Sequence, residues 1–218
     1  MLDPELSSSS IVLAGAFNPR IFTPAWFSRQ NLLSANEADQ ADTKIVHPEI
    51  SHFETESFVV HVTTERFTAV TRPSAHWVVL KDLVLGTFYV LEHTPIKAIG
   101  LNRMMHFRLG SEEQWHRFGD RVTPKEGWAG ILGGRPGMAS AEILAEKRDA
   151  PGVKLSVKVQ PSVQVRPFGV YFETNEHYET PNEDGLSLAL TKLREGWEES
   201  QQYANEIADH ILNWTERN

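Results

Sequence analysis

The segment 172–179 places carboxylates beside a histidine and therefore holds candidate catalytic residues. Its pattern predicts a strand in which Glu173 and His177 share one face and Glu176 lies on the other. A carboxylate makes a neighbouring imidazole more basic, so His177 with Glu173 or Glu176 is a candidate general base for a hydrolase. No serine or cysteine nucleophile lies in a recognised motif nearby. The alternative is the solvated end of a last strand that leads into a long helix.

A second candidate is a metal site around His47 and Glu49, the nearest approach to a ligand cluster in a chain with nine histidines. Zinc needs several nitrogen or oxygen ligands that converge on one point. In a strand, His47 and Glu49 share a face but His52 points to the opposite one, so a third ligand would require a bulge. The alternative is a polar edge strand.

Arg103 and His106 interrupt the apolar segment 96–109, which predicts a central strand. A buried arginine needs a partner, because an unpaired buried charge is costly. Arg103 therefore either forms an ion pair within the chain or meets an acidic ligand. In the closing helix, the small residues Ser200 and Ala204 allow close approach by the sheet, by another helix or by a ligand. The candidate lining of a ligand pocket between the sheet and this helix is Arg103, His106, Ser200 and Ala204.

The glycine-rich stretch 126–138 contains five glycines but matches no phosphate-binding motif. A P-loop ends in Gly-Lys-Ser/Thr, and a dinucleotide fold requires a strand before the glycines and a helix after them. The stretch meets neither condition and predicts a flexible connection before a strand. No cofactor is expected.

Composition restricts the class of protein. Lysine plus arginine total 21 and aspartate plus glutamate total 29, which gives a net charge of −8. This charge argues against binding to nucleic acid or to an anionic membrane surface. The absence of cysteine excludes disulfides and thiolate metal sites. The chain shows no secretory signal pattern and no apolar run of roughly 20 residues. We expect a cytoplasmic protein in which residues 1–218 form a single domain.

The order of predicted elements occurs twice. Each half, about 10–94 and about 95–218, predicts a βαβββα unit, and residues 1–9 predict a flexible arm. The predicted strands of the two halves are 11–17, 44–56, 58–63 and 66–71, then 96–109, 140–148, 153–160 and 169–178. Four helices are predicted. The first begins at Thr23 and ends near Ala41, and the second begins at Ser74 and ends near His93. The third begins at the capping residue Ser111, and the fourth begins near Ser187.

These elements predict an α+β fold in which a mostly antiparallel sheet of about eight strands carries helices on one face. The expected helix–sheet core consists of Trp77, Phe88, Leu193, Trp197 and Ile207. The closing helix has apolar or small residues at alternating steps of three and four from Leu190 to Trp214, which predicts a heptad seam.

The first-half strands carry apolar residues on both faces. Phe58, Val60 and Val62 share one face, and Val59 lies on the other. A sheet face without helices is either solvated or covered by another element. We therefore expect a second subunit to cover this face in a homodimer.

The chain carries Phe17-Asn18-Pro19, then Pro24-Ala25-Trp26-Phe27, then Ile96–Arg103 after a tryptophan-led helix, and a polar strand before a long terminal helix. In this combination, over nearly the whole chain, it resembles a sporadically distributed group of bacterial proteins of uncharacterised function. The resemblance implies a bacterial, cytoplasmic protein of mobile or defence-linked loci, and it carries over no catalytic residue.

The doubled order of elements is also similar to the saddle and helix-grip architectures. Those folds hold nucleic acid on an open sheet, or a small ligand between the sheet and a long helix, and the charge of −8 opposes the first use.

The leading hypothesis is a non-enzymatic binding protein that self-associates and recognises a protein partner. The first alternative is a small-ligand-binding protein with a pocket between the sheet and the closing helix. The second is a hydrolase that uses His177 with Glu173 or Glu176.

Overall fold

The computed structural model describes residues 3–71, 77–128, 130–180 and 184–216. The elements of the first half are β1 (Leu6–Gly15), a 3-10 helix (Pro19–Ile21), α1 (Pro24–Arg29), α2 (Ala35–Asp39), β2 (Asp42–Val46), β3 (Ile50–Glu54), β4 (Phe58–Thr63), β5 (Arg66–Thr71) and α3 (Trp77–Val90). Those of the second half are β6 (Ile96–Arg108), α4 (Glu112–Val122), a 3-10 helix (Glu126–Trp128), β7 (Ala141–Lys147), β8 (Ala150–Pro161), β9 (Gly169–Glu179) and α5 (Gly185–Glu216). The predicted cap Ser74 lies outside the described residues.

The nine strands of the described chain form one antiparallel sheet in the order β2-β3-β4-β5-β1-β6-β9-β8-β7. The halves meet at its centre, where β1 pairs with β6 from Leu6 opposite His106 to Gly15 opposite Ile96. From there each half continues outward through its last strand to its edge. The predicted α+β fold, with an antiparallel sheet and a long C-terminal helix, is confirmed.

The single strand expected at 44–56 is wrong, because this segment is the hairpin of β2 and β3. His47 and Ile50 exchange backbone hydrogen bonds of 2.8 and 3.3 Å across Pro48 and Glu49. Proline lacks the N–H that a strand interior needs but suits a tight turn. The sheet therefore has nine strands where about eight were expected.

The single helix expected from Thr23 to Ala41 is also wrong. Thr23 does cap α1, accepting from the N–H of Trp26 at 3.3 Å. The chain then leaves the helix at Asn31, whose φ of 58° is left-handed and incompatible with a continuing right-handed helix. Ser34 caps α2 by accepting from the N–H of Glu37 at 3.1 Å.

The flexible arm expected at 1–9 is wrong from Leu6 onward, because β1 begins there. Strand pairing uses backbone groups, so the serines do not prevent it. Ser9 is fully buried, and its N–H donates to Thr71 Oγ1 at 2.9 Å. Just before the strand, Glu5 accepts hydrogen bonds of 2.6 and 2.9 Å from Arg108.

Helices α3 and α5 pack against the central strands on one face of the sheet, and α4 packs against α5. Two apolar clusters result. The first joins first-half residues to second-half residues, including the first turns of α5, and the second consists of second-half residues. Phe88, Leu193 and Trp197 are fully buried in the first cluster, as expected, and Trp77 packs partly buried against it.

Helix α5 spans both clusters with its 32 residues, a length of about 48 Å. Its predicted heptad seam is wrong at Ile207 and Trp214. Ala208 and Leu212 are the buried residues of this part of the helix, and Ile211 packs partly buried against the second cluster. Ile207 lies half-buried outside both clusters, and Trp214 is 48% exposed. A straight helix drifts by about 20° per heptad relative to a seven-residue repeat, which moves the buried face off the predicted positions. No helix in the described part of the chain has the length and apolarity to cross a membrane.

Candidate functional site

The sheet face that carries no helices, called here the helix-free face, is formed at its centre by cross-strand rows of small and polar side chains. Ser10 lies opposite Asn102, and Asn102 lies opposite Asn175. Asn175 Nδ2 donates to Asn102 Oδ1. Two cavities of about 420 and 380 Å³ open on this face, and Glu173 lines both.

In the first half, the two faces of β4 differ. Phe58, Val60 and Val62 are buried against the helices, while Val59 and His61 are half-buried on the helix-free face. The proposed covering of this face by a second subunit stays a prediction.

Glu173 and His177 both lie on the helix-free face and are four positions apart on β9, with about 13 Å between their Cα atoms. The Tyr171 hydroxyl donates to Glu173 at 3.1 Å. Burial, reinforced by this carboxylate, raises the pKa of Tyr171. His177 lies opposite Lys154 of β8. Lys154 holds the pKa of Glu179 low, with a smaller contribution from His177. Glu173 and His177 nevertheless both line the cavity of about 380 Å³, and their use as an acid–base pair stays a prediction.

Glu176 faces the helices and belongs to a buried charge cluster. Lys147 Nζ lies 3.2 Å from Glu176 Oε2 and 2.9 Å from Glu199 Oε1. Burial lowers the pKa of Lys147, but the two carboxylates outweigh this effect and raise it overall. The Tyr178 hydroxyl donates to Glu176 at 2.7 Å, and burial together with this contact raises the pKa of Tyr178. Glu176 is therefore held by Lys147 and Tyr178, on the face opposite His177.

Arg103 faces α5 within a polar network. Its Nη1 donates to Ser9 Oγ at 3.2 Å, and Ser9 donates to Gln201 Oε1 at 2.6 Å. No carboxylate of the described residues lies within 4.0 Å of Arg103, so the ion pair considered for it is absent there. Burial lowers the pKa of Arg103. Ser200 and Ala204 are buried. Like Arg103, they line neither the two cavities of the helix-free face nor the three cavities beside α4.

His106 lies on the other face of β6 from Arg103, so the two cannot line one pocket. Its Nδ1 lies 2.8 Å from Ser162 Oγ, and its ring centroid lies 4.7 Å from that of Tyr171. Burial lowers the pKa of His106. The four residues expected around one ligand are thus divided between the two faces of the sheet.

His47 and Glu49 lie in the turn between β2 and β3, where the Glu49 N–H donates to His47 Nδ1 at 3.4 Å. His52 lies on β3, and its ring is nearly perpendicular to that of His61, with 5.6 Å between the ring centroids. Over residues 3–71, 77–128, 130–180 and 184–216, no three or more histidine or acidic side chains are arranged to hold a metal ion.

The described residues of the glycine-rich stretch, 126–128 and 130–138, are mostly exposed and lie between α4 and β7. A Cβ added at any of its five glycines would meet no atom within 4 Å. Gly130 and Gly134 have φ values of 86° and 76°, which glycine adopts without strain.

The edge strand β2 is protected against further pairing. Its register shifts between Thr43 and Ile45, and Lys44 forms an ion pair with Asp42 at this irregularity. Bulges and lysines on an edge strand obstruct the addition of another strand.

The opposite edge strand, β7, lacks these features over most of its length. It pairs regularly with β8 from Ala141 to Glu146. Ile143 and Leu144 lie on opposite faces of it and are 64% and 76% exposed. This edge therefore offers backbone groups flanked by apolar side chains.

Comparison with models of known protein families found no match, and a search of curated proteins found none either. Function is therefore inferred from the geometry of this chain.

Sequence patterns missed both Lys147 and Gln201. Each lies among other polar residues, and no spacing of polar and apolar residues distinguishes it from its neighbours. The exposed pair on β7 did carry a signal. Ile143 and Leu144 are adjacent in a strand, and successive side chains of a strand point to opposite faces of the sheet. One of the two must therefore lie on the face that carries no helices, as Val59 does.

Proposed function

We propose that this chain is a non-enzymatic binding protein that self-associates through the free edge of β7 and recognises a protein partner on its helix-free face. The exposed β7 edge is the observation that carries this proposal.

The occupant of the β7 edge is the β7 strand of a second copy. An edge with apolar side chains on both faces is a template for another strand, since pairing satisfies its backbone groups and covers those side chains. Ile143 and Leu144 provide the same apolar surface on both copies. An antiparallel pair of identical strands closes into a dimer about a two-fold axis and leaves no further β7 edge.

Charge selects the register of this pairing. A dyad centred on Leu144 would place Glu142 opposite Glu146 of the other copy, which is unfavourable. A dyad centred on Ile143 places Ala141 opposite Ala145 and Ile143 opposite itself. We propose the second register.

Antiparallel edge pairing sets the direction of both helix-free faces. The dyad runs perpendicular to the sheet, so the two faces lie side by side on the same side of the dimer. The joined surface carries amides, histidines and half-buried valines, including Asn102, Asn175, His61 and Val59. This mixture suits a protein surface, and the net charge of −8 disfavours a phosphate backbone.

Light scattering and sedimentation velocity across the micromolar range test the self-association. We expect a reversible monomer–dimer equilibrium, because a seven-residue strand buries a small interface. Leu144→Lys should shift the chain to monomer by placing a charge on the edge. Ile45→Lys on β2, where Ile45 is 42% exposed, is the matched control and should leave the equilibrium unchanged. A strict monomer at tens of micromolar removes the proposal.

A further inference from the structure

A small apolar cavity lies beside α4 and is called here the α4 pocket. Its volume is about 100 Å³. Its walls are apolar side chains from α4, the glycine-rich stretch, β8 and β9: Trp115, Phe118, Met138, Pro161 and Val170. The Trp115 indole N–H donates to the carbonyl oxygen of Gly169 at 3.0 Å, which leaves the ring as an apolar wall. A space of this kind suits a single ring or a short alkyl group.

The pocket depends on a missing side chain. Gly119 lies inside α4, where glycine is a poor helix former. A Cβ there would lie 3.8 Å from Met138 Cβ and 3.9 Å from Lys125 Nζ, in ordinary contact and without overlap. Space at this position therefore belongs to the cavity, and a larger side chain would fill it.

Three charged residues line the rim, and their charges add to +1: Asp120, Lys125 and Arg135. Lys125 Nζ donates to Gly119 O at 2.7 Å, to Asp120 Oδ1 at 2.8 Å and to Thr123 O at 3.0 Å. These bonds use all three of its N–H donors. Lys125 therefore holds the loop to the helix.

Arg135 differs from Lys125 because some of its N–H donors form no hydrogen bond within the described part of the chain. Its Nη2 donates to Asp120 Oδ2 at 2.9 Å, and Asp120 is its one bonding partner within the described part of the chain. The side chain is 60% exposed at the mouth of the cavity. A guanidinium with free donors in a planar fork matches a carboxylate.

We propose that the α4 pocket binds a small monocarboxylate with one aromatic ring. The ring enters between Trp115 and Met138, and the carboxylate stays at the mouth against Arg135. Apolar walls exclude a sugar or a bare phosphate as the inserted group, and the positive rim disfavours an amine. His116 lies at the rim within 3.5 Å of Glu112, so the two together add no positive charge that could replace Arg135. This site is separate from the β7 edge and does not depend on dimer formation.

Three probes of similar shape and different charge test the proposal: phenylacetate, benzyl alcohol and benzylamine. Titration of each into the full chain is followed by the tryptophan indole N–H signals in NMR, with Trp115 assigned from Trp115→Phe. We expect phenylacetate to shift the Trp115 signal in a saturable manner and to bind at least about tenfold more tightly than the other two, since a charge-assisted hydrogen bond is made only by the carboxylate. Absence of a saturable shift with phenylacetate overturns the site.

Variants separate the ring contact from the charge contact. Arg135→Gln, at an exposed position that folding tolerates, should weaken phenylacetate about tenfold and leave benzyl alcohol unchanged. Arg117→Gln, an arginine of α4 that does not line the cavity, is the matched control and should change neither. Gly119→Val should abolish the shift with every probe. Equal affinity for all three probes, or no effect of Arg135→Gln, overturns the assignment of a carboxylate.

Discussion

Lys147 Nζ lies 3.2 Å from a carboxylate oxygen of Glu176, and the two side chains are only 7% and 2% exposed. Lys147 ends the edge strand β7, whereas Glu176 belongs to β9 beside the centre of the sheet. The Lys147 ammonium also lies 5.5 Å from the ring centroid of Tyr203 on α5. This pair therefore ties the second-half edge of the sheet to its centre and to the long helix.

Removal of Lys147 alone should strongly destabilise the fold. Lys147→Met leaves Glu176 buried without its counter-ion, which costs about 3–5 kcal/mol. The double variant Lys147→Met with Glu176→Gln should recover most of that loss, because no uncompensated charge remains. Urea unfolding followed by circular dichroism measures both free energies of unfolding. Lys154→Met, in an ion pair exposed on both sides, is the control and should leave stability nearly unchanged. Equal effects of Lys147→Met and Lys154→Met contradict the prediction.

The direction of the pKa shift of Lys147 determines the pH at which the urea unfolding should be measured. The folded-state pKa of Lys147 is raised above its usual value, because two carboxylates outweigh the effect of burial. A raised lysine pKa contributes stability that is complete below the unfolded pKa of about 10.4 and is lost as the pH rises through the folded value. Unfolding at neutral pH therefore reports the whole contribution.

The two tryptophans of α5 should differ sharply in their effect on stability. Trp197 is fully buried, and its indole N–H donates to the carbonyl oxygen of Trp77 at 3.0 Å. Trp214, in contrast, is 48% exposed. Trp197→Ala should cost about 3–5 kcal/mol through the cavity it leaves. Trp214→Ala should cost far less, since its site opens to water. Chemical denaturation of both variants decides the matter, and similar losses would mean that the buried face follows the heptad seam after all.

Those tryptophans also show how far the sequence can predict this fold. Periodicity identified α5 and its buried residues near Trp197, because the first turns of a helix and a heptad repeat coincide. It failed towards Trp214, because the error of a seven-residue repeat accumulates along the helix. The antiparallel sheet and the long C-terminal helix were predictable because each half repeats one pattern of elements. The turn at Pro48 and the break at Asn31 were not, since each depends on a local backbone conformation inside a longer polar segment.

The candidate site was less predictable than the fold. The alternation of side chains along a strand correctly predicted that Glu173 and His177 lie on one face of the sheet and Glu176 on the other. The sequence did not reveal that Arg103 and His106 would bond to Ser9 and Ser162, since those contacts join residues far apart in the chain. Such partners depend on which strands become neighbours, and no local pattern encodes that choice.

Two glycine substitutions should have opposite effects. Gly119→Ala should stabilise α4 by about 0.5–1 kcal/mol, because alanine is the better helix former and its Cβ meets only ordinary contacts. Gly185→Ala should destabilise by about 1–3 kcal/mol, because the Cβ would lie 2.0 Å from Ile96 O and 2.8 Å from Thr180 O. Thermal unfolding gives the sign of each change. A loss of stability in Gly119→Ala would show that the space beside Met138 is smaller than described.

Asp120 should make part of the stability depend on acid pH. A hydrogen bond from Lys125, with a second from Arg135, holds the pKa of Asp120 below its usual value. A depressed carboxyl pKa contributes stability that is present above the unfolded pKa of about 3.9 and is lost as the pH falls through the folded value. Because the side chain is 41% exposed, solvent screening limits this contribution to about 1 kcal/mol or less.

Asp120→Asn should therefore lower the melting temperature at pH 7, and its melting temperature should converge with that of the parent chain below the folded-state pKa of Asp120. Asp3→Asn, at an exposed position without an ion pair to any described residue, is the control and should run parallel to the parent curve. A constant difference between Asp120→Asn and the parent across this range would mean that Asp120 acts through packing and not through its charge.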